Sequence, residues 1–322
     1  MRPLVLGFLV LPTLIVAACS SSSGGGSPPQ ALAPLADGHG LVLDGASIVA
    51  LSGSEIVRIG IADGKRTVLA TDQATASLTS DGTNLYWGNA SYSLKSSRTE
   101  VSRLPLAGGA VTVLAPGPGA HDLTTDGAFV YWAAGDSDEK AAIYKVPVGG
   151  GAVTTLVAKM RSYTLAIDGA TLYFSNEESI YAVPTAGGTA SLFAKDVSGL
   201  GGVGQIVFVG DDVVFLAATG GGSRTHNLYA MPRAGGERRS LSIGDCQTVA
   251  GIAVDGRDVY ASCTGVGRGA LISRVTLDGG NAVTLATVPP EDGSQTASPT
   301  TLVVDREAVF FGAAGQLYRL AK

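Results

Sequence analysis

The chain has 322 residues, of which 45 are Gly and only 15% are charged, and it carries a formal net charge of −5. This length and a 45% hydrophobic content suffice for a large globular core. The acidic balance without a basic stripe argues against a nucleic-acid partner.

Residues 1–19 read as an export signal. Arg2 supplies the positive end, an apolar run follows, and small residues precede Cys19. The run is too short to span a bilayer as a helix. The tetrad "VAAC", Val16 to Cys19, resembles a bacterial lipobox, which implies cleavage before Cys19 and lipidation of its thiol. A secretory signal with an incidental Cys is the plain alternative. Residues 20–30 form a Ser/Gly/Pro tether that cannot pack a core. Ser20 resembles the outer-membrane sorting choice, so the expected location is the cell envelope, lipid-anchored to the outer membrane and either periplasmic or surface-exposed.

From residue 31 to 322 one unit repeats about every 43 residues. An Asp closes its first strand, at Asp44, Asp81, Asp126, Asp168, Asp211, Asp255 and Asp305. A second apolar strand follows ("LYW" to Trp87, "VYW" to Trp132, "VFF" to Phe311), then a third ("VSRLPL", "IYKVPV"), a Gly-rich turn and a fourth. Large side chains on adjacent positions point to opposite faces of a strand, so both faces of each sheet must be buried. No segment keeps a 3.6-residue apolar period over three turns, which excludes helical solenoids. The expected fold is all-β: a seven-bladed β-propeller with four antiparallel strands per blade. The last unit lacks a fourth strand, and "ALAPLADG" (Ala31 to Gly38) resembles a fourth-strand ending. Residues near Ala31 to Ala36 therefore complete the seventh blade and close the ring. The recurrent Asp is read as a turn former rather than as seven metal sites, because Asp before Gly is a hairpin pair. The Pro after the third strand (Pro105, Pro147, Pro184, Pro232) is likewise positional.

The "DGxxVYW…IYKVP…GG" unit resembles the YWTD-type blades of lipoprotein receptors and related bacterial repeats of secreted lipoproteins. The likeness spans about residues 31–322 and implies the fold, not an activity. It departs from the motif where Gly88 and Asn89 follow Trp87 and Ala133 and Ala134 follow Trp132.

Only Cys246 and Cys263 remain in the mature domain, and an even pair in an exported protein suggests a disulfide. A hairpin at Gly256-Arg257 pairs Val254 with Val259 and places Cys263 opposite Ala250, with Cys246 in the loop before that strand. Such a bridge would stabilise by about 3 kcal/mol; two independent buried thiols are the alternative.

In a propeller, the loops into each first strand and those joining second to third strands emerge on one face. Three groups of candidate ligand-binding residues map there. The first is acidic: Asp136, Asp138 and Glu139 in blade three, and Asn176, Glu177 and Glu178 in blade four, with Lys159, Arg161 and Tyr163 on the connection between them. Hard oxygen ligands of this kind suit calcium, yet the Gly and closing Glu of an EF-hand loop are missing, so no metal or cofactor is assigned. A polar ligand site and a plain solvated loop are the other readings. The second group is the histidines, His39, His121 and His226. Their place on one face is similar to that in seven-bladed streptogramin lyases, which implies His-assisted chemistry with Mg²⁺, but no paired His motif carries over. The third is the long loops at residues 88–99, 218–227 and 289–299, where Tyr92, Arg98 and Arg224 are partner anchors.

No nucleophile elbow, HExxH, phosphate loop or dinucleotide fingerprint occurs, so no catalytic residue is assigned. The expected function is a binding or scaffold module for a protein, peptide or glycan. The alternative is a lyase or hydrolase using His121 or His226 with the acidic loops.

Overall fold

The computed structural model describes residues 28–36, 38–73, 75–89, 100–117, 120, 122–135, 140–176, 178–195, 197, 202–218, 226–265, 269–290 and 301–322. All regular structure among them is β. It forms seven four-stranded antiparallel sheets, six of them built from consecutive strands. The first strands are His39–Asp44, Thr75–Ser80, Asp122–Thr125, Leu165–Asp168, Val203–Val209, Cys246–Asp255 and Leu302–Val304. Each touches the first strands of both neighbouring blades, and Leu302–Val304 touches both Cys246–Asp255 and His39–Asp44. The chain is thus a closed seven-bladed β-propeller.

The seventh sheet takes its outermost strand from the other end of the chain. Gln30–Pro34 pairs with Gln316–Ala321, Ala31 opposite Tyr318 and Pro34 opposite Gln316. The Leu35 N–H continues the ladder to the Gly315 carbonyl at 2.8 Å. Ala33 and Leu35 are buried against Ile48 and Val57 of blade one, so the closing strand also seals the seam with the first blade.

The core lies between blades. Second strands are buried almost throughout: Asn84–Asn89, Phe129–Ala134 and Ala308–Ala313 present both faces to neighbours. Trp87 packs with Val49 and Ile56 of blade one, and Phe310 with Ile48 and Ala50. Each such side chain stabilises by about 1.5–3 kcal/mol. Close approach explains Gly88, where a Cβ would lie 2.2 Å from the Ala120 Cβ of the next connection.

Three of the seven register marks close turns with their side chains. Asp126 Oδ1 accepts from the Ala128 and Phe129 N–H groups, and its Oδ2 accepts from the buried Tyr131 hydroxyl at 2.8 Å. Asp81 repeats this with Thr83, Asn84 and Tyr86 (hydroxyl at 2.6 Å), and Asp305 with Glu307 and Ala308. The motif therefore joins an Asx turn to the Tyr of the second strand. Asp44 and Asp168 instead pair with Arg58 and Arg233. The prolines after third strands are positional too, since the Pro105, Pro147, Pro184 and Pro232 carbonyls accept from the first Gly N–H of the next turn.

A second device on this face was not read from sequence. A cation on one blade reaches a backbone carbonyl on the next: Arg58 to Leu106, Arg103 to Val148 (2.8 Å), Lys145 to Thr185 (2.6 Å) and Arg239 to Leu277 (2.9 Å).

Cys246 and Cys263 form a disulfide with Cα atoms 5.7 Å apart. The expected surroundings need correction. Cys263 lies opposite Val249, not Ala250, and Cys246 is already in the first strand. Two register shifts, between Cys246 and Thr248 and between Val249 and Gly251, displace the pairing. A bulge inserts a residue on one strand only, so counting back from the hairpin stops one residue short.

Candidate functional site

The two faces of the ring differ in construction. First and second strands are joined by two or three residues in every blade, whereas second and third strands are joined by as few as two and as many as ten. The candidate ligand-binding residues belong to the variable face.

Of these, Arg161, Tyr163, Asn176, Glu178 and His226 lie among the described residues; His121, Asp136, Asp138, Glu139, Glu177 and Arg224 lie outside them, as do Cys19, Tyr92 and Arg98. Arg161 and Tyr163 come together, the guanidinium 6.0 Å from the ring centroid, and Tyr163 is 44% exposed. Tyr163 is the one aromatic residue among the exposed large hydrophobic side chains described. Its backbone is pinned, because the Tyr163 N–H donates to the Ser175 carbonyl at 3.0 Å and the Ser175 N–H to the Thr164 carbonyl at 3.2 Å. Asn176 follows directly. Its Oδ1 accepts from the Glu178 and Ser179 N–H groups at 3.1 and 2.8 Å, so this oxygen closes a turn. Glu178 is exposed beside it.

Two of the three histidines fall on described strands of different blades. His39 opens the first strand of blade one, while His226 opens the third strand of blade five, opposite Ala218. His226 is half-buried, and that burial lowers its pKa and favours the neutral ring. Among the described residues no group of three or more His, Cys, Asp or Glu is placed to hold a metal. A cavity of about 430 Å³ opens between blades four and five, lined by Phe193, Lys195, Met231 and Arg238 among others. Arg238 crosses it, stacking on Tyr229 at 4.5 Å and donating to the Val197 carbonyl.

One functional position escaped the sequence reading. The residue before the first-strand Leu or Ile is Gly40, Ser77, Asp122, Thr164, Gln205, Gly251 or Thr301 in successive blades. These positions lie on the innermost strands or at their entry, and the side chains of Ser77, Asp122, Gln205 and Thr301 reach the innermost strand of the next sheet. Gln205 Nε2 donates to the Ile252 carbonyl at 2.8 Å and its Oε1 accepts from the Ile252 N–H at 2.9 Å. Thr301 Oγ1 accepts from the Leu41 N–H at 3.5 Å. At Gly40 a Cβ would come within 3.0 Å of the Leu78 Cβ. An inner edge otherwise leaves backbone groups without partners, and this belt supplies them.

Asp122 is the charged member of that belt. Oδ1 accepts from the Ser77 hydroxyl at 2.8 Å and the Leu123 N–H at 2.9 Å; Oδ2 accepts from the Leu165 N–H at 2.8 Å and the Thr164 hydroxyl at 3.3 Å. The residue keeps some accessible surface, yet its carboxylate is enclosed by blades two, three and four. That enclosure raises its pKa, and the four hydrogen bonds, which act to lower it, do not offset the desolvation. The signal available in sequence was a polar residue ahead of an apolar one in five of seven first strands.

No family model and no curated sequence matches the chain. Solved structures do. A catalytically inactive H270A virginiamycin B lyase from Staphylococcus aureus with quinupristin superposes with a TM-score of 0.65 at 15% identity, covering 88% of this chain and 94% of that one. An oligogalacturonate lyase in complex with manganese gives 0.63 at 12%, covering 89% of each. A chain of the mitotic checkpoint complex gives 0.66 at 12%, covering 98% and 99%. At such identities the likeness shows the propeller fold alone, and it joins enzymes to a member of a protein assembly.

Proposed function

We propose that this chain is a lipid-anchored, extracytoplasmic propeller with YWTD-like repeats that binds a protein, peptide or glycan through its variable face, without a cofactor. The observation that carries this reading is the contrast in connection lengths: on one face two or three residues join first to second strands and five or six join third to fourth, whereas on the other two to ten join second to third strands and four to thirteen join fourth to first. A rigid ring that holds one face constant while the other varies suits recognition. Tyr163 beneath Arg161 is the described anchor, since rigid aromatic and Arg side chains dominate binding energies. Cys19 supplies the membrane link, with residues 20–30 as leash to the outer membrane.

The test has two arms. Fatty-acid labelling of the full chain should be lost in Cys19→Ser; retained label overturns the anchor. The soluble domain should capture a specific envelope partner, and Tyr163→Ala should weaken capture at least about tenfold. Failure to capture any partner under several conditions overturns the binding reading. The likeness to two lyases supports a second reading, in which His226 accepts a proton within a lyase or hydrolase site. An activity abolished by His226→Ala would replace the first reading with this one.

A further inference from the structure

We propose that Asp122 is the positioning residue for the Arg161–Tyr163 anchor, holding the connection between blades three and four at the height from which both side chains meet a partner. The inference rests on the loop-face reading for its purpose and on the hydrogen bonds for its mechanism. Residues 161–165 run from the fourth strand of blade three (Thr154–Ala158) to the first strand of blade four. Three described sets of hydrogen bonds act on this stretch. The Leu165 N–H and Thr164 hydroxyl donate to Asp122 Oδ2. The Thr164 carbonyl accepts from Ser175 and from the Ser162 hydroxyl. The Tyr163 N–H donates to Ser175. The last two ties are local to blade four. Of these three ties, the link to Asp122 is the one that crosses the seam, and in doing so it joins the latch from Lys145 to Thr185.

The two oxygens divide the work. Oδ1 faces Ser77 of blade two, and Oδ2 faces the anchor segment. An amide at this position can turn its oxygen to Leu165 and its NH₂ to the Ser77 hydroxyl, whose oxygen can accept. It would lose only the short-range bond to Leu123. Asparagine therefore keeps the anchor in place, whereas alanine leaves the Leu165 N–H without an acceptor.

Amide hydrogen exchange on the soluble domain tests this without any ligand. In Asp122→Ala the Leu165 and Tyr163 amides should exchange at least about tenfold faster than in the parent, the loss of one hydrogen-bond acceptor. In Asp122→Asn both should stay within about threefold of the parent, and Ser77→Ala should leave them unchanged. The Leu41 and Ile252 amides, held by Thr301 and Gln205, serve as controls on the far seams. Parent-like protection of Leu165 and Tyr163 in Asp122→Ala overturns the proposal. So does an equal acceleration at Leu41 and Ile252, which would make Asp122 a general stabiliser. If Asp122→Ala does not fold, Asp122→Leu, of similar volume and without acceptors, replaces it; if neither folds, acceleration of Tyr163 and Leu165 in Asp122→Asn beyond the controls is the overturning result. Because exchange is read without a partner, its outcome is separate from capture by Tyr163→Ala.

Discussion

The face that turns from first to second strand and the face that joins second to third are built from one repeat, yet they obey different constraints. On the first, Asp81 and Asp126 each close a turn and hold a buried Tyr hydroxyl, so the turn is welded to the core. Changing its length would break both bonds. On the second, the ends of each connection are tied by the ladder, and what lies between is limited only by loop closure, which grows slowly with length. One face therefore preserves the ring and the other is available to recognise.

Four measurements break or sharpen that contrast, and the largest effect concerns closure. A chain beginning at residue 37 lacks Gln30–Pro34 and leaves the inner surface of Ala33 and Leu35 unfilled. It should lose on the order of 5 kcal/mol and unfold less cooperatively in urea, from lost burial and an open edge. Parent-like stability would show that the ring closes without its clasp. Next, Cys246→Ser with Cys263→Ser should cost about 3 kcal/mol, and thiol titration of the unreduced, denatured parent should find no free thiol in the mature domain. Two titratable thiols there would remove the bridge.

The third compares the faces directly. Asp126→Ala strands the Tyr131 hydroxyl and should cost about 1–3 kcal/mol. Replacing residues 90–99 with a two-residue turn should change stability by less than about 1 kcal/mol. Equal losses would erase the distinction between the faces. The smallest effect is the pH dependence of Asp81. Burial pushes its pKa up, but bonds from Tyr86, Asn84 and Thr83 prevail and lower it below 3.8. With the folded pKa below the unfolded one, its contribution is present above that range and fades as pH falls through the folded value. Urea titrations should lose stability on acidification more steeply in the parent than in Asp81→Asn; identical slopes would contradict the assignment.

The repeat was legible because its signals are local. Asp before Gly, Pro before Gly-Gly and adjacent aromatics each report on a few neighbouring residues, and their period gave the blade number and even the missing strand at Ala31. The disulfide was legible as a pair, but its opposite residue was not, because the bulges near Gln247 and Ala250 leave no mark a count can detect. The latches from Arg58, Arg103 and Lys145 were invisible for a different reason. Their acceptors are backbone carbonyls of another blade, which every residue possesses.

The amino-acid order by itself settled the number of sheets, the direction of their strands and the ends that meet, since these follow from hydrophobic alternation and turn chemistry over a few positions. Tertiary structure decided what crosses a seam: that Asp122 reaches Leu165, that Gln205 brackets Ile252, and that Arg161 lies over Tyr163. Those choices depend on how two sheets lean together, a quantity set by packing many side chains at once and carried by no short stretch of chain.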